Sequence, residues 1–409
     1  MKVVHLVAGS LTGGAARGAY WLHRGLIKTG LNSILVTSGQ DALDDSSVIS
    51  LSNTKVGRVK TIALNQADNL LLKLYPKKKS RIFSTGFFGR WLSALDCIND
   101  ADIIHLHWIN GFVSLRTISQ FKQPIVWTLR DMWPFTGGCH YSMDCTRYTE
   151  GCGTCPQLQS QRRNDISYRI VNKKLLTFKN NIQPVGISHW ITEQAKKSTV
   201  FANQNPITIL NNIDTNVFSP LDKGIAREVL SIKTNKKVIL LGATNVLDFY
   251  KGFGKAIESL SYLDKTQFAL CVFGRSDQRL LDETGFEYYK LGYLNDNVSL
   301  RLAYSAADVF VAPSIMEAFG KTLAESLSCG TPVVCFDATG PQSIVDHKVD
   351  GYRARPFDPS DLAEGVRWVT NDADYRSLSI SARQNAITKF DSLVIARQYK
   401  DLYNRMLTT

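Results

Sequence analysis

Asp308-Val-Phe-Val-Ala-Pro-Ser-Ile-Met-Glu317-Ala-Phe-Gly320-Lys-Thr-Leu-Ala-Glu325-Ser-Leu-Ser-Cys-Gly330-Thr-Pro-Val-Val-Cys-Phe336 reads as strand, loop, helix and second strand in succession. The apolar run 308–311 suits a buried parallel strand, Leu323 and Leu327 carry helical spacing, and Gly330 and Pro332 stop the helix before Val333. One carboxylate, Glu317, then lies in a loop at a strand's carboxyl end, and Glu325 one or two turns into the next helix. Glutamates accept hydrogen bonds from hydroxyls, while the amides of Phe319, Gly320 and Lys321 at the positive end of a helix dipole suit an anion. A ligand with sugar hydroxyls and phosphates fits such a place. A lone pair of glutamates would be an ordinary solvated helix, and only the whole constellation lifts it above that reading.

The same pattern recurs on both sides. Strand-like runs at 3–8, 34–37, 103–106, 125–128 and 184–187 alternate with helical segments, and the alternation restarts after Ile213 with strands at 238–241, 268–273, 308–311 and 333–336. The expected fold is α/β, with two doubly wound Rossmann-like domains facing a cleft. Residues 1–213 form the first domain, with a Cys-rich insertion at about 137–156. Residues 214–391 form the second, and the amphipathic tail 392–409 crosses back to the first.

With 409 residues and 44% apolar content, the chain can bury two cores. No apolar run is long enough for a membrane span, and Met1–Ala8 reads as a first strand rather than an export signal, which places the eight cysteines in a reducing compartment. Charge is uneven: residues 1–200 carry +13 and the remainder −1. An anionic partner should face the first half. No nucleic-acid module is recognisable, so a membrane surface or a pyrophosphate-bearing acceptor fits better.

The Glu-x7-Glu spacing of Glu317 and Glu325, with the Cys-Gly-Thr-Pro turn behind it, resembles the retaining glycosyltransferases of family 4, which have the GT-B fold. The likeness covers most of the chain and is nearest to bacterial transferases of colanic acid, capsule and O-antigen assembly. It implies transfer of a sugar from a UDP- or GDP-linked donor to a lipid-linked saccharide acceptor, with retained anomeric configuration. It also implies a cytoplasmic protein on the inner face of the membrane and no metal cofactor for catalysis. By the resemblance, Lys251 pairs with the donor diphosphate, Glu317 with the transferred sugar and Glu325 with the ribose. Ala318, Phe319, Gly320, Lys321 and Thr322 surround the donor, and Gly274, Arg275, Tyr293 and Leu294 hold the base. Gly13 and Gly14 belong to a glycine-rich loop that approaches the phosphates. Thr244 stands roughly where the family has an arginine.

On the acceptor side, His107, Trp108 and Asn110 suit sugar stacking and hydroxyl bonding, whereas His105, deeper in its strand, is equally well a satisfied core histidine. Trp127–His140 resembles a segment that usually reads histidine-aspartate. Here Arg130 precedes Asp131, and arginine cannot shuttle a proton, which leaves an electrostatic role. Lys251, Glu317, Arg130 and Asp131 are the expected catalytic set. The departures at Arg130 and Thr244 keep open a rival reading, a sugar-nucleotide-binding scaffold without activity; a GT-B epimerase would need acid-base residues that are not evident.

Two further stretches carry information. Cys139, Cys145, Cys152 and Cys155, with interleaved glycines, match either a structural zinc site or disulfides and free thiols. Between Leu70 and Trp91, Lys77, Lys78, Lys79, Arg81 and Arg90 interleave with apolar and aromatic side chains. That composition suits an anionic leaflet, or simply a solvated helix pair.

Overall fold

A computed structural model describes residues 1–40, 44–79, 82–92, 94–178, 181–245 and 248–408; the side chains of Thr244 and Asn245 are also outside the description. The chain divides into two compact units, Met1–Leu210 with Ile395–Thr409, and Asn211–Val394.

The first unit is built on a parallel sheet of seven strands: β1 (Lys2–Val7), β2 (Asn32–Thr37), β3 (Val48–Ser50), β4 (Ile103–Leu106), β5 (Ile125–Leu129), β6 (Ile182–Gly186) and β7 (Ile207–Thr208), in the order β3-β2-β1-β4-β5-β6-β7. Successive strands spread one way from β1 and then the other way from β4, so the chain reverses direction between these two central strands. Their carboxyl ends open the crevice typical of such a reversal. The closing helix Ser392–Thr408 buries Ile395, Tyr399, Leu402 and Tyr403 against Val3, Ile103 and Val126. Those four positions fall on one helical face, which explains the amphipathic pattern of the tail.

The second unit repeats the plan with six parallel strands: β8 (Lys237–Asn245), β9 (Phe268–Arg275), β10 (Glu287–Gly292), β11 (Val309–Ala312), β12 (Val333–Phe336) and β13 (Gly351–Ala354), ordered β10-β9-β8-β11-β12-β13. Here the reversal lies between β8 and β11. Central strands β8, β9, β11 and β12 are near-continuous apolar runs because helices cover both faces. The edge strands differ. β10 has no buried residue, and β3 and β7 are two or three half-buried residues long, so their sequences carry little of the strand signal. Among the described residues no helix is long and apolar enough to cross a membrane.

A candidate sugar-nucleotide site

In the second unit a cavity opens at the β8/β11 reversal, lined by Gly242, Ala243, Lys251, Ala312, Ser314 and Thr322 among others, with a volume of about 540 Å³ including its open mouth. Lys251 ends a short 3-10 turn, Phe249–Lys251, and Gly252 follows at φ +66°. A side chain at Gly252 would meet the carbonyl oxygen of Pro313 at 1.9 Å, so glycine alone lets this turn lie against the loop after β11. The amide of Ile315 donates to the Tyr250 carbonyl at 2.8 Å and ties the two segments together. Lys251 Nζ consequently forms an ion pair with Glu317 Oε2, both groups partly accessible. Tyr250 stands behind them with its hydroxyl 3.2 Å from Asp248, and burial and that carboxylate push the phenol up to about 12.

Gly320, at φ +103°, starts the helix Lys321–Ser328 and directs its amino end toward the loop that carries Glu317. Gly340 lets that loop pack closely, since a Cβ there would sit 2.5 Å from the Phe319 nitrogen, and its amide donates to the Glu317 carbonyl at 2.9 Å. Lys321 and Thr322 are half-buried, whereas Ala318 and Phe319 are interior. Glu325 is fully buried, and its Oε2 accepts from the Tyr304 hydroxyl at 3.0 Å. The structure therefore puts Glu317 beside Lys251 and Glu325 one layer beneath. Gly274 and Arg275 end β9, and Tyr293 and Leu294 follow β10, with Arg275 and Tyr293 exposed. Thr244 lies on β8, its side chain outside the described residues.

The first unit's strand ends hold a different arrangement. Gly13 and Gly14 are exposed at the start of the Gly14–Lys28 helix, where Arg17 donates its amide to the Gly13 carbonyl at 2.8 Å. Arg130 is buried, with Nε 3.3 Å from His107 Nδ1. A Cβ on Gly18 would approach its guanidinium to 2.6 Å, so this glycine makes room for the arginine. Burial pulls Arg130 down to about 10, which still leaves it charged near neutral pH. Because guanidinium only donates, His107 Nδ1 must accept; Nε2 then carries the proton and donates to His5 Nδ1 at 2.9 Å. Burial first, and then the neighbouring His105 and Arg130, hold His107 well below the usual imidazole range.

This changes the reading of His107, which was expected to face the acceptor, and settles that of His105, which was left open. His107 has both ring nitrogens engaged and is 1% exposed, so it supports the strand end from within rather than presenting a hydroxyl-binding edge. His105 bonds Tyr403 at 2.6 Å and Thr128 at 2.7 Å, and is a satisfied core histidine. Trp108 keeps partial exposure, and its indole donates to Asp131 Oδ2 at 2.7 Å. Asp131 also bonds His140 Nδ1 at 2.6 Å and receives the Trp133 amide at 2.9 Å. Asn110 is buried with its Oδ1 unpartnered. His140 was absent from the expected site, because nothing in its local sequence marks it as the partner of an aspartate nine residues earlier.

His5, His105 and His107 are the only described group of three ligand-type side chains whose donor atoms all lie within 4.8 Å of one another. An adjacent guanidinium and the hydrogen bonds already made disfavour a cation there. Cys139, Cys145, Cys152 and Cys155 instead converge on one small cavity in the insertion, and all are free thiols. Arg90, expected on the basic surface, is interior; its guanidinium bonds Thr61 at 2.7 Å and struts the Lys55–Leu72 helix. Arg81 lies outside the described residues.

Residues 222–386 match the family model "Glycosyl transferases group 1". The chain is 23% identical over 405 residues to an uncharacterized glycosyltransferase of Methanocaldococcus jannaschii, covering 96% of this chain and 94% of that protein. It is 27% identical over 271 residues, 63% of this chain and 69% of the relative, to the N,N'-diacetylbacillosaminyl-diphospho-undecaprenol alpha-1,3-N-acetylgalactosaminyltransferase of Campylobacter jejuni. Among solved structures, Anabaena HepE in complex with UDP and glucose superposes with a TM-score of 0.67 at 18% identity, over 99% of each chain. Residues 222–386 therefore resemble a group 1 glycosyl transferase domain, and the chain shares the GT-B fold of its solved neighbours.

Proposed function

We propose that this protein transfers a sugar, with retention of configuration, from a nucleoside diphosphate donor to a lipid-linked saccharide acceptor during assembly of a bacterial surface polysaccharide. The observation that carries this reading is the ion pair between Lys251, which lines the β8/β11 cavity, and Glu317. Lys251 neutralises the leaving diphosphate, together with the amino end of the Lys321–Ser328 helix, and Glu317 accepts from hydroxyls of the transferred sugar. These fixed positive groups do the work that a divalent cation does elsewhere, so turnover should persist without added magnesium and through brief chelation. Glu325 is assigned to the ribose from the layer beneath, and the segments after β9 and β10 to the base. The leaving phosphate itself takes the acceptor's proton on the same face.

The first unit is assigned to the acceptor, with Trp108 and Asn110 nearest the sugar and Arg130 as a fixed positive charge. The Campylobacter relative is named for a diphospho-undecaprenol acceptor, and the structural neighbour for UDP, which supports a lipid-linked acceptor and a UDP-sugar donor. An anionic inner leaflet suits the exposed apolar side chains Val56, Val59, Ile62, Leu70, Leu74 and Trp91 and the exposed Lys77, Lys78 and Lys79 of the same stretch of chain. The test is a panel of UDP- and GDP-sugars incubated with lipid-linked and water-soluble acceptors, followed by NMR of the product's anomeric centre. Retained configuration supports the reading. Inversion, or no transfer with any donor, refutes it.

A further inference from the structure

We propose that Cys139, Cys145, Cys152 and Cys155 bind one structural zinc ion that fixes the insertion following β5. The four residues come from an irregular stretch of 17 residues whose only helical piece is the short turn Arg147–Thr149, yet all four line one cavity. Sequence-distant parts of a loop converge in this way only when something holds them. Phe83, Leu158, Ile166 and Ile170 pack with Cys139 and Cys155 in one apolar cluster, and Phe83, Arg147 and Tyr148 share the cavity's lining with the four cysteines.

Backbone conformation points the same way. Cys152, Gly153 and Thr154 are consecutive left-handed residues, at φ +62°, +92° and +45°, and Gly151 precedes them at +92°. Left-handed backbone is costly for a β-branched residue, and such a run persists where its surroundings over-determine it. It lets the chain turn tightly enough for Cys152 and Cys155, with two residues between them, to address one point. Gly153 has to be glycine, because a Cβ there would lie 2.2 Å from the Arg163 carbonyl oxygen.

The surroundings also suit thiolates. The Gly137 amide bonds to Cys152, and the Leu158 and Gln157 amides bond to Cys155, the kind of outer contact that orients metal-bound sulfur. Zinc with four thiolates carries two net negative charges. The buried Lys174, held by the carbonyls of Trp133 and Thr136, interacts with Cys152 and Cys139 and offsets part of that charge. No three of the sulfurs lie within 4.8 Å of one another, so closing a tetrahedron at about 2.3 Å bonds requires side-chain rotation. Zinc binding is then a proton exchange: each thiol loses its proton to solvent as a Zn–S bond forms, with no change of oxidation state.

The ion's position gives it a structural consequence. His140 follows Cys139 directly, and its contact with Asp131 joins the insertion to the Trp108 strand end. Holding Cys139 holds this contact.

Metal analysis of the wild-type protein purified under reducing conditions should find about one zinc per chain, and exchange with cobalt(II) should give the sulfur-to-cobalt charge-transfer and tetrahedral ligand-field bands. Cys152→Ser and Cys155→Ser should lose the zinc, or most of its affinity, and unfold at lower temperature. If these variants do not fold, the wild-type metal content and cobalt spectrum decide alone. Absence of zinc, a cobalt spectrum without thiolate bands, intramolecular disulfides in the native mass, or zinc retained in a folded variant would each overturn the proposal. These readouts do not involve transfer activity, so they stand apart from the proposed function.

Discussion

Lys251 and Glu317 are 66 positions apart in sequence, and only the close approach at Gly252 brings them into contact. Glu317→Gln should keep nucleotide affinity near wild type while lowering turnover about ten- to a hundredfold, the effect of about 1.5 to 3 kcal/mol for a charged hydrogen bond made to the reacting sugar; kinetics with a saturating donor check this. Glu325 calls for a different experiment because its carboxylate is wholly buried on Tyr304. Glu325→Gln should preserve melting temperature and weaken nucleoside diphosphate binding, whereas Glu325→Ala should also lose about 1 to 3 kcal/mol of stability through the unpaired hydroxyl. Calorimetric titration beside thermal melts separates the two, and unchanged affinity in the Gln variant removes Glu325 from the donor site. Both glutamates stood out in sequence through their spacing. Their depths did not, since Tyr304 comes from a preceding helix and nothing local shows which acid it meets.

At the level of elements, the central strands were legible because burial on both faces makes them uninterrupted apolar runs. β3, β7 and β13 were not among the expected strands: β3 and β7 are only two or three half-buried residues that borrow their pairing from neighbours, and β13 is a four-residue edge strand whose run is broken by a glycine and an arginine. The ends of β1 and β4 carry a buried histidine set whose state has a measurable consequence. Burial holds His5, His105 and His107 well below the ordinary value of 6.5, and lowers His23 to about 4. A lowered folded value means that the unfolded chain binds more protons below 6.5, so stability is complete above that pH and falls as pH drops toward 5. Asp350, pushed up to about 7 by burial, acts in the opposite direction, but it is one group against four. Melting temperature should therefore decline between pH 7 and pH 5, and a flat profile would contradict the burial of these rings as neutral groups. His105 in β4 and His107 just beyond its end share one face, and their rings stack at 4.2 Å. That the face turns inward depends on Arg130 and on Tyr399 and Tyr403 from the far end of the chain.

For the whole molecule, repeated alternation of strand and helix was enough to read two doubly wound sheets, and the charge imbalance set the first 200 residues apart. Arg90 shows where composition misleads: it belongs to the basic stretch in sequence and to the interior in space. Lys77, Lys78 and Lys79 are exposed, and replacing all three with glutamate should release the protein from anionic vesicles, at about 1 kcal/mol per basic residue, with high salt doing the same to the wild type. Transfer to a short water-soluble acceptor should be nearly unaffected. Undiminished vesicle binding by the triple variant would remove this stretch from the membrane role. The central claim, that the β8/β11 cavity binds a donor whose diphosphate leaves against Lys251, is tested most directly by acceptor-dependent release of nucleoside diphosphate from wild type and Lys251→Ala across the UDP- and GDP-sugar panel. The account predicts release by the wild type with at least one donor and a loss of at least about tenfold in the variant, consistent with removing one charged contact; equal release by a folded variant, or none by the wild type with any donor, would contradict it.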